Sequence, residues 1–181
     1  MAGPFGSSAE PINFQRAMVF VDGTNLFHRL QAAKLQLVSL WDMCRSYSQG
    51  RQIIRIYLYT TEPHYRRAKE QHGEGIFTNI RVTFGDAVPT GNGNVKEKGV
   101  DALLVADLVY HAAMKNIDYA MLVSADTDFA YALKRVEDFG CRTALVSVCA
   151  PPPPRLRESA DDTFEVTEDA IVGGRWARRQ P

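Results

Sequence analysis

Several things are scarce or missing in this 181-residue chain, and each absence removes a class of protein. It has only three cysteines, Cys44, Cys141 and Cys149. Their number is odd and their spacing is too wide for a CxxC knuckle, which disfavours both a disulfide framework and a zinc site and points to reduced thiols in the cytoplasm. Lys plus Arg and Asp plus Glu each count 21. With no net charge to attract a polyanion, any basic surface must be local. No apolar run approaches the roughly 18 residues that span a bilayer. The opening "MAGPFGSSAEP" lacks a basic stretch followed by an apolar one, so residues 1–15 read as a disordered tail and not as a signal peptide. There is no GxGxxG after the first apolar run and no GxxxxGK followed by Ser or Thr, so dinucleotide binding and a P-loop drop out.

What is present is an ordinary globular composition, 45% hydrophobic and 23% charged, enough for one three-layer core. "AMVFV" (17–21) is short, apolar and uninterrupted, as expected of a central parallel strand covered on both faces. Leu26, Phe27, Leu30 and Leu35 then recur at helical spacing, and "LVSLWDMCRSYSQG" continues helically to Gly50. Strands are expected at 52–60, 80–88, 119–124 and 141–148, with helices at 63–77, 100–116 and 128–140. "PTGNGNVKEKG" reads as a flexible loop. Strands alternating with helices imply a three-layer α/β/α fold around a mainly parallel sheet of five or six strands. In such a fold ligands bind at the carboxyl ends of the strands, where the strand order reverses. Residues 169–181, with Arg175, Arg178 and Arg179, read as a basic C-terminal tail.

Four acids fall at that edge. Asp22 ends the first strand, Asp126 follows the strand that ends at Ser124, Asp128 lies just beyond, and Asp101 opens the long helix. Each alone is best explained as a helix cap or a first-turn acid. Together they repel, by about 4 kcal/mol per pair at 4 Å with an effective dielectric near 20. A divalent cation relieves that repulsion, and an all-oxygen donor set without His or Cys suits Mg²⁺ or Mn²⁺. Such an ion supports phosphodiester hydrolysis.

"VFVDGTN", "KGVDALLVADL" and "LVSADTDF", in this order, resemble the three signature segments of the NYN family, metal-dependent ribonuclease domains related to PIN and FLAP nucleases, and specifically its LabA-like branch. The resemblance covers roughly residues 17–148 of a domain placed at 16–168. It implies a PIN-like fold, a metal site of Asp22, Asp101, Asp126 and Asp128, and a catalytic contribution from Asn25, which would orient a water or a carboxylate. Ser124 matches the serine before the acids and would bind a carboxylate or the substrate phosphate. Lys98 occupies the lysine of "KGVD" and would reach a phosphate. Ala125 stands where glycine is frequent, a change that removes no ligand. "APPPPRLRESADDTF" is similar to the branch's closing elements, with Phe164 one residue out of step and Asp161 and Asp162 taken as structural.

Arg66 and Arg67, in "HYRRAKEQH", are close enough together to track an RNA backbone, although an exposed helix face explains them as well. Lys96 reads as a solvated loop charge. Tyr57, Tyr59 and Phe84 lie on expected strands and read as core. His28, His64, His72 and His111 show no pairing that suggests a base or a ligand. The function that best fits is a metal-dependent endoribonuclease acting on single-stranded RNA. A non-catalytic RNA-binding or protein-interaction module is the alternative. A phosphomonoesterase fits worse, because the "VDGT" echo of haloacid-dehalogenase phosphatases has Phe20 where their nucleophilic aspartate stands. The oligomeric state stays open, a homodimer included.

Overall fold

The computed structural model of the chain describes residues 13–90 and 95–180. Along the chain run β1 (Asn13–Asp22), α1 (Gly23–Ala32), β2 (Leu35–Leu37), α2 (Leu40–Ser46), β3 (Arg51–Thr61), α3 (Glu62–His72), β4 (Ile80–Pro89) and β5 (Val95–Lys98). They are followed by α4 (Val100–Ala113), β6 (Tyr119–Val123), α5 (Ala130–Asp138), β7 (Arg142–Val148), α6 (Pro154–Arg157), β8 (Asp162–Val166), α7 (Glu168–Gly173) and β9 (Ala177–Arg179).

The apolar runs dictate three layers. Successive side chains on a strand point to opposite faces, so an uninterrupted apolar strand needs cover on both sides. In β1, Ala17, Val19 and Val21 enter one core, with Leu26 and Leu30 of α1 and Met43 of α2. Met18 and Phe20 enter the other, with Leu104 and Leu108 of α4 and Leu133 of α5. β6 repeats the pattern, Tyr119, Met121 and Val123 on the first side and Ala120 and Leu122 on the second. The result is a three-layer α/β/α fold of PIN-like type.

The main sheet has seven strands in the order β5-β4-β3-β1-β6-β7-β8. All neighbours are parallel except the β4–β5 pair. From β1 the chain builds outward through β3 and β4, then returns to the other side of β1 with β6. The order reverses there, and the carboxyl ends of β1 and β6 flank the crevice.

Several expectations need correction. The sheet is wider than five or six strands because β5 and β8 add an edge on each side. Val95–Lys98, expected as loop, pairs antiparallel with β4, Lys98 opposite Asp86; residues 91–94 of that expected loop lie outside the described residues. The helix read through Leu35 ends at Ala32. Lys34 turns the chain with a φ of 53°, and Leu35–Leu37 becomes a strand with both leucines buried. That strand pairs with Ala177–Arg179, so residues 169–180 of the expected tail are folded against the domain; residue 181 lies outside the described residues. The Trp176 carbonyl accepts from the Val38 and Ser39 amides, and Ile171 is fully buried. At the other end, Asn13–Gln15 of the expected N-terminal tail belong to β1, and the rest of it lies outside the described residues.

The three cysteines are free. Burial pushes the Cys44 and Cys141 thiols up to about 12 and Cys149 up to about 11, so they stay protonated and unreactive at neutral pH. Among the described residues no helix is long and apolar enough to cross a membrane.

Candidate functional site

Asp22 is the last residue of β1 and only 5% exposed. One carboxylate oxygen accepts from the Asn25 amide at 3.0 Å, so Asp22 is also the N-cap of α1. The other accepts from the Ser124 hydroxyl at 2.9 Å, which ties the end of β1 to the end of β6. Gly23 is required behind it: a Cβ there would lie 2.8 Å from the Tyr59 carbonyl oxygen. The capping and site readings of Asp22 are thus compatible, since each oxygen keeps a further lone pair beyond its one hydrogen bond.

The turn after β6 is built by the same few groups. The Ser124 oxygen accepts from the Asp126 amide at 3.1 Å. Asn25 accepts from the Ala125 amide at 3.2 Å, which leaves its side-chain NH₂ for the groove. Asp126 caps the 3-10 turn Thr127–Phe129 by accepting from the Asp128 amide at 2.9 Å. Asp101 sits in the first turn of α4, whose N-cap, Gly99, has a φ of 80°, a left-handed conformation that glycine adopts without strain.

These residues line an open groove of about 460 Å³ bounded by Asp22, Thr24, Asn25, Glu97, Asp101 and Asp126, with His28 and Arg29 of α1 also in its lining. Burial pushes the Asp22 carboxyl up to about 6, against the lowering effect of its two hydrogen bonds, and Asp101 and Asp126 push it further up. Asp101 is also raised, first by burial and then by Asp126, Glu97 and Asp128. The acids therefore act on one another across the groove, with Arg29 in the same lining. Among the described residues no three His, Cys, Asp or Glu side chains are gathered tightly enough to hold a metal ion by themselves. The donor set is all oxygen, and an ion that keeps several of its waters suits such an open arrangement.

Of the residues singled out from sequence, Asp22, Asn25, Asp101 and Asp126 meet at the groove, and Ser124 supports them from 3% exposure. Asp128 is exposed and outside the groove lining, near enough to raise Asp101. Lys98 and Lys96 are exposed on β5 and also outside the lining. Arg66 pairs with Glu62 on α3, whereas Arg67 lines a second cavity. Tyr57 and Tyr59 are core, Tyr59 donating to Asp107 at 2.8 Å. Phe84 is 47% exposed, because β4 lies near the sheet edge.

Glu97 is a fifth acid that sequence reasoning missed. It accepts from the Thr24 hydroxyl at 2.7 Å, and His64 Nδ1 lies 2.7 Å from the same oxygen. His64 therefore does have a carboxylate partner. The signal was Glu97 inside "KEKGVD", four residues before Asp101, hidden because that stretch read as loop.

Comparison with known proteins agrees with this architecture. A solved structure of a protein of unknown function from Vibrio parahaemolyticus superposes with a TM-score of 0.67 at 17% identity, covering 88% of this chain and 98% of that one. The uncharacterized protein y4oD of Sinorhizobium fredii is 34% identical over 77 residues, a stretch that spans 41% of this chain and 36% of that relative's length. The family model described as the NYN domain matches residues 16–168, nearly the whole of the three-layer unit and every acid of the groove. On that match the chain belongs to the NYN domain family, whose fold is that of the PIN-like nucleases.

Proposed function

We propose that this chain is a divalent-cation-dependent endoribonuclease of the LabA-like branch, hydrolysing phosphodiester bonds of single-stranded RNA in the cytoplasm. The observation that carries the proposal is the convergence of Asp22, Asp101, Asp126 and Glu97, from four separate elements, on one groove at the switch point of the sheet.

Asp22, Asp101 and Asp126 would hold Mg²⁺ or Mn²⁺, with Asp128 and Glu97 adding charge from around them. When bound, the ion supplies an activated nucleophile and neutralises charge on the scissile phosphate. The chain's own groups do the positioning. Ser124 fixes the Asp22 carboxylate, and Asn25, a groove residue whose side-chain oxygen is engaged by the Ala125 amide, would use its NH₂ to orient a water or a phosphate oxygen. Arg29, in the groove lining, and Lys98, exposed on β5, would attract the flanking phosphates.

A second reading is favoured by one observation: the acids surround the groove without closing into a tight ligand set. A module that binds RNA without cutting it has that property. The two readings separate on incubation of labelled single-stranded and structured RNA with and without Mn²⁺, beside Asp22→Asn and Asp126→Asn. The nuclease reading expects cation-dependent products from the native chain and none from either variant. Cleavage by both variants at the native rate, or binding without products across varied RNAs, contradicts it.

A further inference from the structure

We infer that a second cavity, between α1 and α3 and adjoining the acidic groove, is a subsite for the nucleotide flanking the scissile bond. This rests on the ribonuclease reading above and adds where the neighbouring base and its phosphate go. The cavity holds about 290 Å³ and shares Thr24 and His28 with the acidic groove, so one strand passes from one to the other. That volume is at the small end of ligand pockets, room for about one base.

The two helices present matching faces. Thr24, Phe27, His28 and Gln31 of α1 and His64, Arg67, Ala68 and Gln71 of α3 are each spaced i, i+3, i+4, i+7, the spacing that sets side chains on one side of a helix. Phe27 and Ala68 make an apolar floor, 9% and 2% exposed. The Phe27 ring is held by stacking on His72 at 5.3 Å and by the edge of Phe77 at 6.2 Å. A floor of that kind offers apolar contact to an unstacked base. In the same lining, the side-chain amides of Gln31 and Gln71 have no hydrogen-bond partner among the described residues, and a primary amide offers the donor and acceptor that a base edge needs. The lining of this cavity contains no acid, in contrast to the groove beside it. Arg67, unlike Arg66, has no ion-pair partner among the described residues and is available to a phosphate. A base has to leave any duplex to lie between the helices, so the subsite selects single strands.

The test is equilibrium binding of fluorescent octamers of A, C, G and U ribonucleotides and a matched duplex, by anisotropy in EDTA so that no cleavage intervenes. The native chain is expected to prefer single strands. Arg67→Ala should weaken all four octamers alike, by about tenfold, and flatten the salt dependence by about one charge. Arg67→Lys should restore that slope. Gln31→Ala and Gln71→Ala should change the rank order among the four bases by about tenfold. Native affinity, slope and rank order in all these variants would overturn the subsite, as would no binding of single strands by the native chain. If the native chain cuts nothing with Mn²⁺ but the binding pattern holds, the nuclease reading falls and the subsite stands.

Discussion

The Ser124 hydroxyl donates to the Asp22 carboxylate at 2.9 Å, joining two residues 102 positions apart at the ends of the two strands that flank the crevice. That bond lowers the Asp22 pKa against the upward push of burial. Ser124→Ala removes it and should move the acid limb of the pH–activity profile to higher pH, with activity at pH 7 reduced about tenfold, in the range of a lost bond to a charged group. Ser124→Thr keeps the hydroxyl and should restore most of it. Superimposable profiles for the native chain and Ser124→Ala would show that the bond does not tune Asp22.

Asp22 also ties stability to pH. Its folded pKa of about 6 lies above the ordinary carboxyl value of 3.8, so the folded state binds the proton more tightly. The contribution of this group is fully favourable below 3.8 and is lost as pH rises through 6. Asn at this position keeps one acceptor oxygen and loses the other, so the linkage shows in the change with pH: between pH 4 and pH 7.5 in EDTA, the stability of Asp22→Asn relative to the native chain should shift in the variant's favour by about 2–3 kcal/mol. Thermal melts at the two pH values measure this. A stability difference that is the same at both pH values would contradict it.

Much of this was legible in the sequence. The uninterrupted run at 17–21 announced a strand covered on both faces, and the aspartates at strand ends announced the edge at which the groove opens. Glu97 was hidden because its segment is short, polar and Gly-flanked, and becomes a strand only through pairing with β4. Leu35 fits a helical period as well as a strand, and the strand wins because Lys34 turns the chain and β9, more than 140 positions away, supplies the partner. Both are long-range effects that local periodicity does not record.

Glu97→Gln keeps an oxygen for Thr24 and His64 but removes the charge. If that charge helps hold a cation, cleavage should fall about tenfold at low Mn²⁺ and recover at high Mn²⁺, with unchanged melting behaviour. Native turnover at every Mn²⁺ concentration would make Glu97 a structural partner of Thr24 and His64 and nothing more.

Asp161 offers the opposite case, an acid with a purely structural task. Its carboxylate accepts from the fully buried Thr143 amide at 2.7 Å and from the Thr143 hydroxyl at 3.2 Å. Asp161→Ala leaves that amide unpaired and should cost about 1–3 kcal/mol of stability. Cleavage well below the melting temperature should stay at the native rate, and a specific loss of activity there would place Asp161 in the site.

The central claim is that carboxylates from distant parts of the chain gather around one cation. Anomalous scattering from a crystal soaked in manganese locates that ion directly. The account predicts a peak within coordination distance, about 2–2.5 Å, of oxygens from at least one of Asp22, Asp101 and Asp126, lost in Asp22→Asn. No peak in the groove, or a peak elsewhere that survives the substitution, would contradict it.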